Sequence, residues 1–213
     1  MNRRHFLKNT SAASVVYSAL PLYSAIRRTE KARIALIGCG WWGMNILREA
    51  IAAQGVKVVG MCDVDRSALD KTTAEVTALN GDKPKRYNDY RELLQKEKPQ
   101  IVIVATPDHW HALPAIAAIE QGADVYIEKP ISHTVYEGLA IVRAARKHGR
   151  IVQVGTHRRV SPHNVSGMEF LRSGKVGKIG SVHCFVNYGG GPGEMSPDQE
   201  TPQGLDWDMG GGP

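Results

Sequence analysis

The sequence has few cysteines and no long run of apolar residues. Three cysteines are too few for a disulfide framework. No apolar stretch reaches the roughly 20 residues of a confident membrane span. Acidic residues are absent from positions 1–26, which supply three of the six net positive charges. The remaining surplus of basic residues is too small to indicate a nucleic-acid-binding protein, so we expect no nucleic-acid partner.

Three closely spaced glycines stand between an apolar segment at 33–37 and a segment with helical apolar spacing at 44–51. This order is typical of a dinucleotide-binding turn: Gly38 permits the sharp turn, Gly40 lets the backbone approach a pyrophosphate, and Gly43 lets the helix pack closely on the sheet. The residues between the glycines complete the candidate cofactor-binding turn: Cys39, Trp41 and Trp42. The two tryptophans, like Trp110, either line the cleft or fill a core or an interface.

A second apolar segment, at 56–62, ends at Asp63, twenty residues after Gly43. An acidic residue at this spacing binds the ribose hydroxyls of an adenosine and makes the glycine motif much more specific. Its carboxylate repels a 2′-phosphate and therefore favours NAD over NADP. Arg66 is close enough in sequence to soften that repulsion, so NADP remains an alternative cofactor. The competing interpretation is an ordinary strand–helix turn with a solvated aspartate.

Alternating strand and helix patterns continue to residue 154. The predicted strands lie at 33–37, 56–62, 85–87, 101–105, 125–127 and 151–154. The predicted helices lie at 44–51, 67–79, 89–96, 113–121 and 135–148. This alternation predicts an α/β fold, a Rossmann doubly wound parallel sheet with helices on both faces, over residues 29–155. Residues 156–213, with a predicted helix at 165–173 and a predicted strand at 181–188, begin a second, α+β domain.

Ligands of a doubly wound sheet bind beyond the carboxyl ends of its strands. Three polar segments lie at this edge, at 106–111, 128–130 and 155–159. We expect no metal site, because no cluster of carboxylates or cysteines accompanies the two histidines of the first segment. His111 is expected to pack beside the cofactor, and His109 to face solvent at the start of a helix.

At these positions the chain resembles the glucose–fructose oxidoreductase, inositol dehydrogenase and MocA family of nicotinamide-dependent enzymes. The most specific match is the Glu128-Lys129-Pro130 motif. The other matching segments are Gly38–Gly43, Cys62–Asp65, and Thr106 and Pro107 with His111. Three later segments look like the exported bacterial branch of the family: Gly155–Arg159, Ser161–His163 and Gly204–Asp208.

The resemblance implies that Lys129 is catalytic. An ammonium group beside a substrate hydroxyl stabilises the alkoxide that develops as hydride leaves the adjoining carbon. Pro130 is expected to fix the backbone at this point, and Glu128 to help place the nicotinamide or the lysine. Arg158 and Arg159 contact either the oxygens of a substrate or an acidic surface of the second domain. Thr106, Pro107 and His111 complete the expected cofactor site.

The function implied by the resemblance is hydride transfer between a nicotinamide cofactor and a secondary alcohol of a sugar or polyol. One alternative is an NAD-dependent glycosidase of the same family. In the family, an aspartate and a histidine on a later helix are the acid–base partners of the lysine, and no histidine follows Trp207. We therefore expect this chain to be the first part of a longer enzyme, which forms homo-oligomers when its second domain is complete. A truncated nucleotide-binding protein without catalysis is the other alternative.

The N-terminus begins with Arg3 and Arg4, followed shortly by Phe6, Leu7 and Lys8. Uncharged, mostly small residues then extend to position 26. This order resembles a twin-arginine export signal over residues 1–28, so we expect the twin-arginine export machinery as a partner and a periplasmic or otherwise exported location. That route carries folded proteins, so the cofactor is expected to be inserted before export and held tightly. The competing interpretation is a basic disordered terminus.

Overall fold

A computed structural model describes residues 30–185 and 197–212. The expected export signal lies outside the described residues. Six strands are present: β1 (Ala32–Ile37), β2 (Val56–Cys62), β3 (Lys85–Tyr87), β4 (Ile101–Val104), β5 (Asp124–Ile127) and β6 (Val152–Val154). Seven α-helices lie in the same described ranges: α1 (Trp41–Ala52), α2 (Arg66–Asn80), α3 (Tyr90–Glu97), α4 (Ala112–Glu120), α5 (Val135–His148), α6 (Pro162–Arg172) and α7 (Trp207–Gly210).

The strands form one sheet in the order β3-β2-β1-β4-β5-β6. The β1–β4, β2–β3, β4–β5 and β5–β6 pairs are parallel. The strand order reverses between β1 and β4, which is where a doubly wound sheet opens a crevice at its carboxyl edge. The predicted fold class, a Rossmann doubly wound parallel sheet, is confirmed.

The core lies on both faces of this sheet because successive residues of a strand point to opposite sides. In β1, Ile34 and Leu36 belong to the apolar cluster under α1 and α2. Ala35 and Ile37 belong to the cluster under α3, α4 and α5. Both faces of β1 are therefore buried, which explains why its sequence is a continuous apolar run rather than an alternating one.

Most helices begin and end close to their predicted positions, and capping residues define where two of them begin. Asp65 accepts the N–H groups of Ser67 and Ala68 at the start of α2, and α5 begins with a capping box formed by Thr134 and Glu137. Two helices begin three residues before their predicted starts. In α1 the last residues of the glycine turn are already helical, and in α6 Pro162 occupies the first turn, where its fixed φ angle suits a helix.

The region after β6 differs from the prediction in one element. A strand was predicted at 181–188, but residues 181–185 are not in a strand, and residues 186–188 lie outside the described ranges. A strand requires a hydrogen-bonded neighbour, and the described residues provide none here. Helix α6 likewise buries none of its side chains. In the described parts of the chain, no helix combines the length and apolar character needed to span a bilayer.

Candidate active site

The glycine turn joins β1 to α1, and its three glycines have different surroundings. Gly38 has a φ of +94°, and a Cβ there would lie 2.5 Å from the carbonyl carbon and oxygen of Ala105. A Cβ on Gly43 would overlap the carbonyl oxygen of Gly38. A Cβ on Gly40 would meet no atom within 4 Å. Packing of the turn therefore requires the outer two glycines, and the middle one leaves open space in front of the helix N-terminus.

Asp63 follows β2 and is tied to the glycine turn. Its Oδ2 accepts the N–H of Cys39 at 2.5 Å, and its Oδ1 accepts the N–H of Asp65 at 2.8 Å. Burial raises the pKa of Asp63, and the backbone donors, chiefly Asp65 and Cys39, offset part of this effect. On the other side of the turn, Thr72 donates its hydroxyl to the Cys39 carbonyl at 2.8 Å. The carboxylate is thus fixed in place at the position expected to bind a ribose.

Cys39 and Cys62 are buried free thiols at the ends of β1 and β2. Burial raises the pKa of both thiols, and the nearby Asp63 carboxylate adds to the effect. A thiol with a raised pKa is a poor nucleophile because little thiolate is present at neutral pH. The side chain of Cys39 therefore packs in the core, and the backbone N–H of this residue serves the Asp63 carboxylate.

A cavity opens beyond the ends of β1, β2 and β4. It contains about 510 Å³ of space, part of it open to solvent. Its walls are mostly apolar, and its lining includes Gly38, Asp63, Asn88, Tyr90, Thr106, Pro107, Trp110 and Met209. An apolar cavity bordered by a single fixed carboxylate suits a nucleobase and its ribose.

The three tryptophans considered from the sequence occupy different places. Trp110 lines the cavity and packs edge-on against Tyr90, with ring centroids 6.3 Å apart. Trp42 lies in a separate groove beside α1, with its ring centroid 5.3 Å from that of His157. Trp41 is 76% exposed. Of the three side chains, only Trp110 therefore lines the cavity described above.

His111 is buried and joins the loops that follow β4 and β5. Its Nε2 lies 2.9 Å from the carbonyl oxygen of Thr106, and its Nδ1 lies 2.5 Å from that of Pro130. His111 was expected to pack beside the cofactor; the structure places it beneath the two loops and outside the lining of the cavity, so a direct contact with cofactor stays a prediction. His109 was expected to face solvent. It is instead half-buried, with Nε2 3.3 Å from the carbonyl oxygen of Gly210, because a distant segment returns to cover it.

Glu128 is 4% exposed and lies under the backbone of Lys129. Its Oε2 accepts the N–H of Lys129 at 3.0 Å, and its Oε1 accepts the hydroxyl of Tyr126 at 3.4 Å. Burial raises the pKa of Tyr126, and the Glu128 carboxylate adds to this shift. Only glycine fits at position 155, because a Cβ would lie 2.7 Å from the Tyr126 hydroxyl and against the Glu128 carboxylate. These contacts hold the backbone of Lys129 at the end of β5.

The side chain of Lys129 is exposed at the carboxyl edge of the sheet. In residues 30–185 and 197–212, no carboxylate lies within 4 Å of its Nζ. The peptide bond to Pro130 is cis. Arg158 and Arg159 are also exposed, in a short 3₁₀ turn at 157–159 after β6. The described residues contain no group of three or more histidine, cysteine or acidic side chains arranged to hold a metal ion.

Residues 32–156 match the model of a family described as an oxidoreductase family with an NAD-binding Rossmann fold, named for glucose–fructose oxidoreductase, inositol dehydrogenase and MocA. The chain belongs to this family. NAD is therefore the cofactor of its Rossmann domain. Sequence reasoning had identified the family from the glycine turn and the Glu128-Lys129-Pro130 motif, and this identification is confirmed.

Several curated and solved relatives are similar over most of the chain. An inositol 2-dehydrogenase of Salmonella typhimurium is 31% identical over 179 residues, which are 81% of this chain and 50% of that protein. A glycosyl hydrolase family 109 protein of Shewanella pealeana is 29% identical over 202 residues, 84% of this chain and 44% of the relative. The crystal structure of a myo-inositol 2-dehydrogenase from Lactobacillus plantarum has a TM-score of 0.64 at 26% identity, over 70% of this chain and 43% of that one. The chain thus spans about half the length of the relatives it matches, or somewhat less.

Sequence reasoning missed one segment of the site. Met209 and Gly210 line the cavity although they lie about 145 residues beyond Asp63 in the chain. The matching segment Gly204–Asp208 marked this region as similar to the family, but no local pattern indicated where in the fold it lies. Only the folded chain shows that it returns to the cavity at the ends of β1, β2 and β4.

Proposed function

We propose that this chain is the cofactor-binding and lysine-bearing part of an NAD-dependent oxidoreductase that moves hydride to or from a secondary alcohol carbon of a sugar or polyol. The observation that carries the proposal is the position of Lys129, whose backbone is fixed by a buried glutamate while its ammonium group is free to approach a ligand. The similarity to proteins named inositol 2-dehydrogenase supports a polyol or sugar substrate.

The residues present fit NAD. Gly40 leaves room for a pyrophosphate at the start of α1, where unpaired backbone N–H groups favour an anion. Asp63 has a fixed carboxylate that can accept hydrogen bonds from ribose hydroxyls, and the neighbouring cavity has apolar walls for adenine. When bound, NAD supplies the hydride acceptor, and its reduced form supplies the hydride donor.

Lys129 then acts on the oxygen of the substrate. Its ammonium group donates a hydrogen bond to the hydroxyl whose carbon gives up hydride, and it stabilises the negative charge that develops on that oxygen. The hydroxyl proton passes to a separate base, which the resemblance to the family places on a later helix. In the reverse direction the same group polarises a carbonyl. Glu128 contributes by accepting the Lys129 N–H, and His111 contributes by joining the loop that carries Lys129 to the loop after β4. Both are positioning residues for the lysine, and Arg158 and Arg159 are proposed contacts for the oxygens of the substrate.

Replacement of Lys129 tests this proposal. We expect Lys129→Ala to retain NAD binding and to lower turnover about 10²- to 10⁴-fold, because the ammonium acts on substrate rather than on the nucleotide. NAD binding is measured by calorimetry and turnover by NADH formation with a panel of polyols and sugars. Lys147→Ala, on the distant end of α5, is the matched control. Both forms are compared in the complete protein that contains this chain. Equal turnover in Lys129→Ala and the unsubstituted complete protein would contradict the assignment, and binding of NAD without any turnover in the unsubstituted complete protein would favour a nucleotide-binding protein without catalysis.

The similarity to a glycosyl hydrolase family 109 protein favours one alternative, an NAD-dependent glycosidase. In that reaction the sugar is oxidised and later reduced again, so free sugar is released with no net change in the nicotinamide. Incubation with aryl glycosides distinguishes the two functions. Release of the aryl group with constant NADH supports the glycosidase, and accumulation of NADH with free polyol supports the dehydrogenase.

We further propose that the protein is exported with NAD already bound and that the complete protein forms homo-oligomers. The paired Arg3 and Arg4 before an uncharged, small-residue stretch support twin-arginine export. Cell fractionation tests the location: recovery in the periplasm with nucleotide bound is expected, and recovery only in the cytoplasm would contradict it.

A further inference from the structure

Residues 204–212, in the last described part of the chain, return to the rim of the proposed nucleotide site. Asp206 donates its N–H to the carbonyl of Val64 at 3.0 Å, and Arg66 donates its N–H to the carbonyl of Gly204 at 3.1 Å. Between these bonds, Asp65 and Leu205 form an antiparallel bridge. Residues 204–206 therefore pair with the backbone that immediately follows Asp63.

The same segment also reaches the opposite rim. Asp206 caps the short helix α7 by accepting the N–H of Met209 at 3.1 Å. The carbonyl of Gly210 lies 3.3 Å from Nε2 of His109, in the loop after β4, and the Met209 sulfur lies 4.0 Å from Nη2 of Arg91. We call residues 204–212 the strap, because they connect the rim at β2 to the rim at β4 across the cavity.

The cavity under the strap has the features of a ligand site. Met209 and Gly210 form part of its wall, together with residues at the ends of β1 and β2. The indole N–H of Trp110, which lines the same cavity, is buried and has no acceptor among the described residues. The indole N–H of Trp42, which lies outside this cavity, is also buried without an acceptor among the described residues. Buried donors nearly always have a partner, so the N–H of Trp110 is available to an acceptor atom of a ligand in the cavity. The acceptors of an adenine ring are of the right chemistry.

We propose that the strap is part of the NAD site: Met209 forms one wall of the adenine pocket, and the pairing of residues 204–206 with residues 64–66 controls release of the cofactor. This inference rests on the proposed function. A nucleotide enclosed between both rims leaves only when the strap separates from at least one of them. The strap therefore provides a physical basis for retention of NAD through export and through repeated turnover.

Two substitutions weaken the strap in different ways. Met209→Ala removes the side chain that forms the wall, and Asp206→Pro removes both the N–H given to Val64 and the helix cap. Met168→Ala and Asp198→Pro are matched controls at exposed positions outside the cavity. Dissociation of NADH is followed in the full 213-residue chain by stopped-flow measurement of NADH fluorescence after the complex is mixed with excess NAD.

We expect both strap variants to release NADH about tenfold faster or more, with a much smaller change in the association rate, since contact changes within one site act mainly on dissociation. The two controls are expected to release NADH at the rate of the unsubstituted chain. Circular dichroism and thermal melts verify that each variant is folded, and Met209→Ala alone suffices if Asp206→Pro fails to fold. Amide hydrogen exchange at Arg66 and Asp206 is expected to slow when NADH is bound.

Unchanged dissociation rates in a folded Met209→Ala variant would overturn the role of the strap and leave the proposed function standing. An unsubstituted chain that does not bind NADH would overturn both. Faster release from the control variants, equal to that from the strap variants, would also overturn the assignment, because it would show that any change in this region loosens the site.

Discussion

The two ends of the nucleotide cleft differ in how fully the described residues build them. At the adenosine end, Asp63 is fixed by two backbone N–H groups and a cavity is walled on several sides. At the reacting end, Lys129 is held through its backbone while its side chain, like those of Arg158 and Arg159, is exposed. We therefore expect binding of the nucleotide to depend on the loops of this sheet and on the strap that covers them, whereas the described residues form only one wall around the reacting groups.

The cause of this difference lies in where each set of residues is anchored. Residues of the adenosine end stand directly after β1, β2 and β4, in the middle of a sheet that is packed on both faces. Lys129 follows β5, and the arginines follow the edge strand β6. Changes at the adenosine end should therefore affect folding and NAD binding together, and changes at the reacting end should separate binding from turnover.

The largest expected effect is at the outer glycines of the turn. Gly38→Ala places a side chain on a backbone with positive φ and against the carbonyl of Ala105, and Gly43→Ala places one on the carbonyl of Gly38. Each change is expected to lower the free energy of unfolding by on the order of 3 kcal/mol and to abolish NAD binding. Chemical denaturation and calorimetric titration measure the two effects. Wild-type stability in either variant would show that the turn is not packed as described.

Gly40→Ala is the matched control for those two variants. Its Cβ meets no atom within 4 Å, and its φ is −63°, so we expect the stability to change by less than about 0.5 kcal/mol. NAD affinity should nevertheless fall, because the added methyl group occupies the space through which a pyrophosphate approaches the backbone. Normal NAD affinity in this variant would mean that the pyrophosphate binds elsewhere.

The next effect concerns Asp63. We expect Asp63→Ala to weaken NAD binding on the order of 10- to 100-fold, since it removes a charged acceptor for the ribose hydroxyls. NADP binding should suffer less, because the repulsion of its 2′-phosphate is removed as well. Titration with both nucleotides measures the change in preference. Asp70→Ala, which removes a carboxylate from the exposed face of α2, should leave both affinities unchanged; an equal loss in the two variants would contradict a specific role for Asp63.

A smaller effect is expected at His111, which joins the loop after β4 to the loop that bears Lys129. His111→Ala removes the link between the loops after β4 and β5, and we expect a loss of stability of about 2 kcal/mol. Turnover should decrease more than NAD affinity, since the loop that bears Lys129 loses its support. Steady-state kinetics and NAD titration separate the two. His133→Ala, at an exposed site on the loop before α5, is the control, and a parallel fall in binding and turnover would contradict the division between the two ends.

The smallest effect concerns pH and Tyr87, which lies away from both ends. Burial, followed by the hydrogen bond to Glu97, raises the pKa of Tyr87 to about 12, from an ordinary value of 10.0. Between these values the unfolded chain binds fewer protons than the folded chain, so stability is lost as the pH rises from 10 towards 12. Tyr87→Phe should cost about 1 kcal/mol at neutral pH and should flatten the decline at alkaline pH. Thermal melts across this range provide the test, and an unchanged slope would contradict the shift.

The sequence predicted those features that depend on neighbouring residues. Apolar runs predicted the strands other than the short β3, whose sequence is Lys85-Arg86-Tyr87. The spacing of the three glycines and Asp63 predicted a dinucleotide turn, because these patterns act within one strand–helix–strand unit. The predicted strand at 181–188 was wrong over its first five residues, since apolar character alone does not supply a hydrogen-bonded neighbour. The strap and the contacts of His111 were not predictable either. Both depend on how separate loops meet, and such pairing leaves no local pattern.

The central claim is that this chain binds NAD through the glycine turn and presents Lys129 to a substrate without using it to bind the nucleotide. Calorimetric titration of the unsubstituted chain, Gly40→Ala and Lys129→Ala with NAD tests it most directly. The expected result is equal affinity in the unsubstituted chain and Lys129→Ala, with markedly weaker binding in Gly40→Ala at unchanged stability. Absence of binding in the unsubstituted chain, or equal affinity in all three proteins, would contradict the claim.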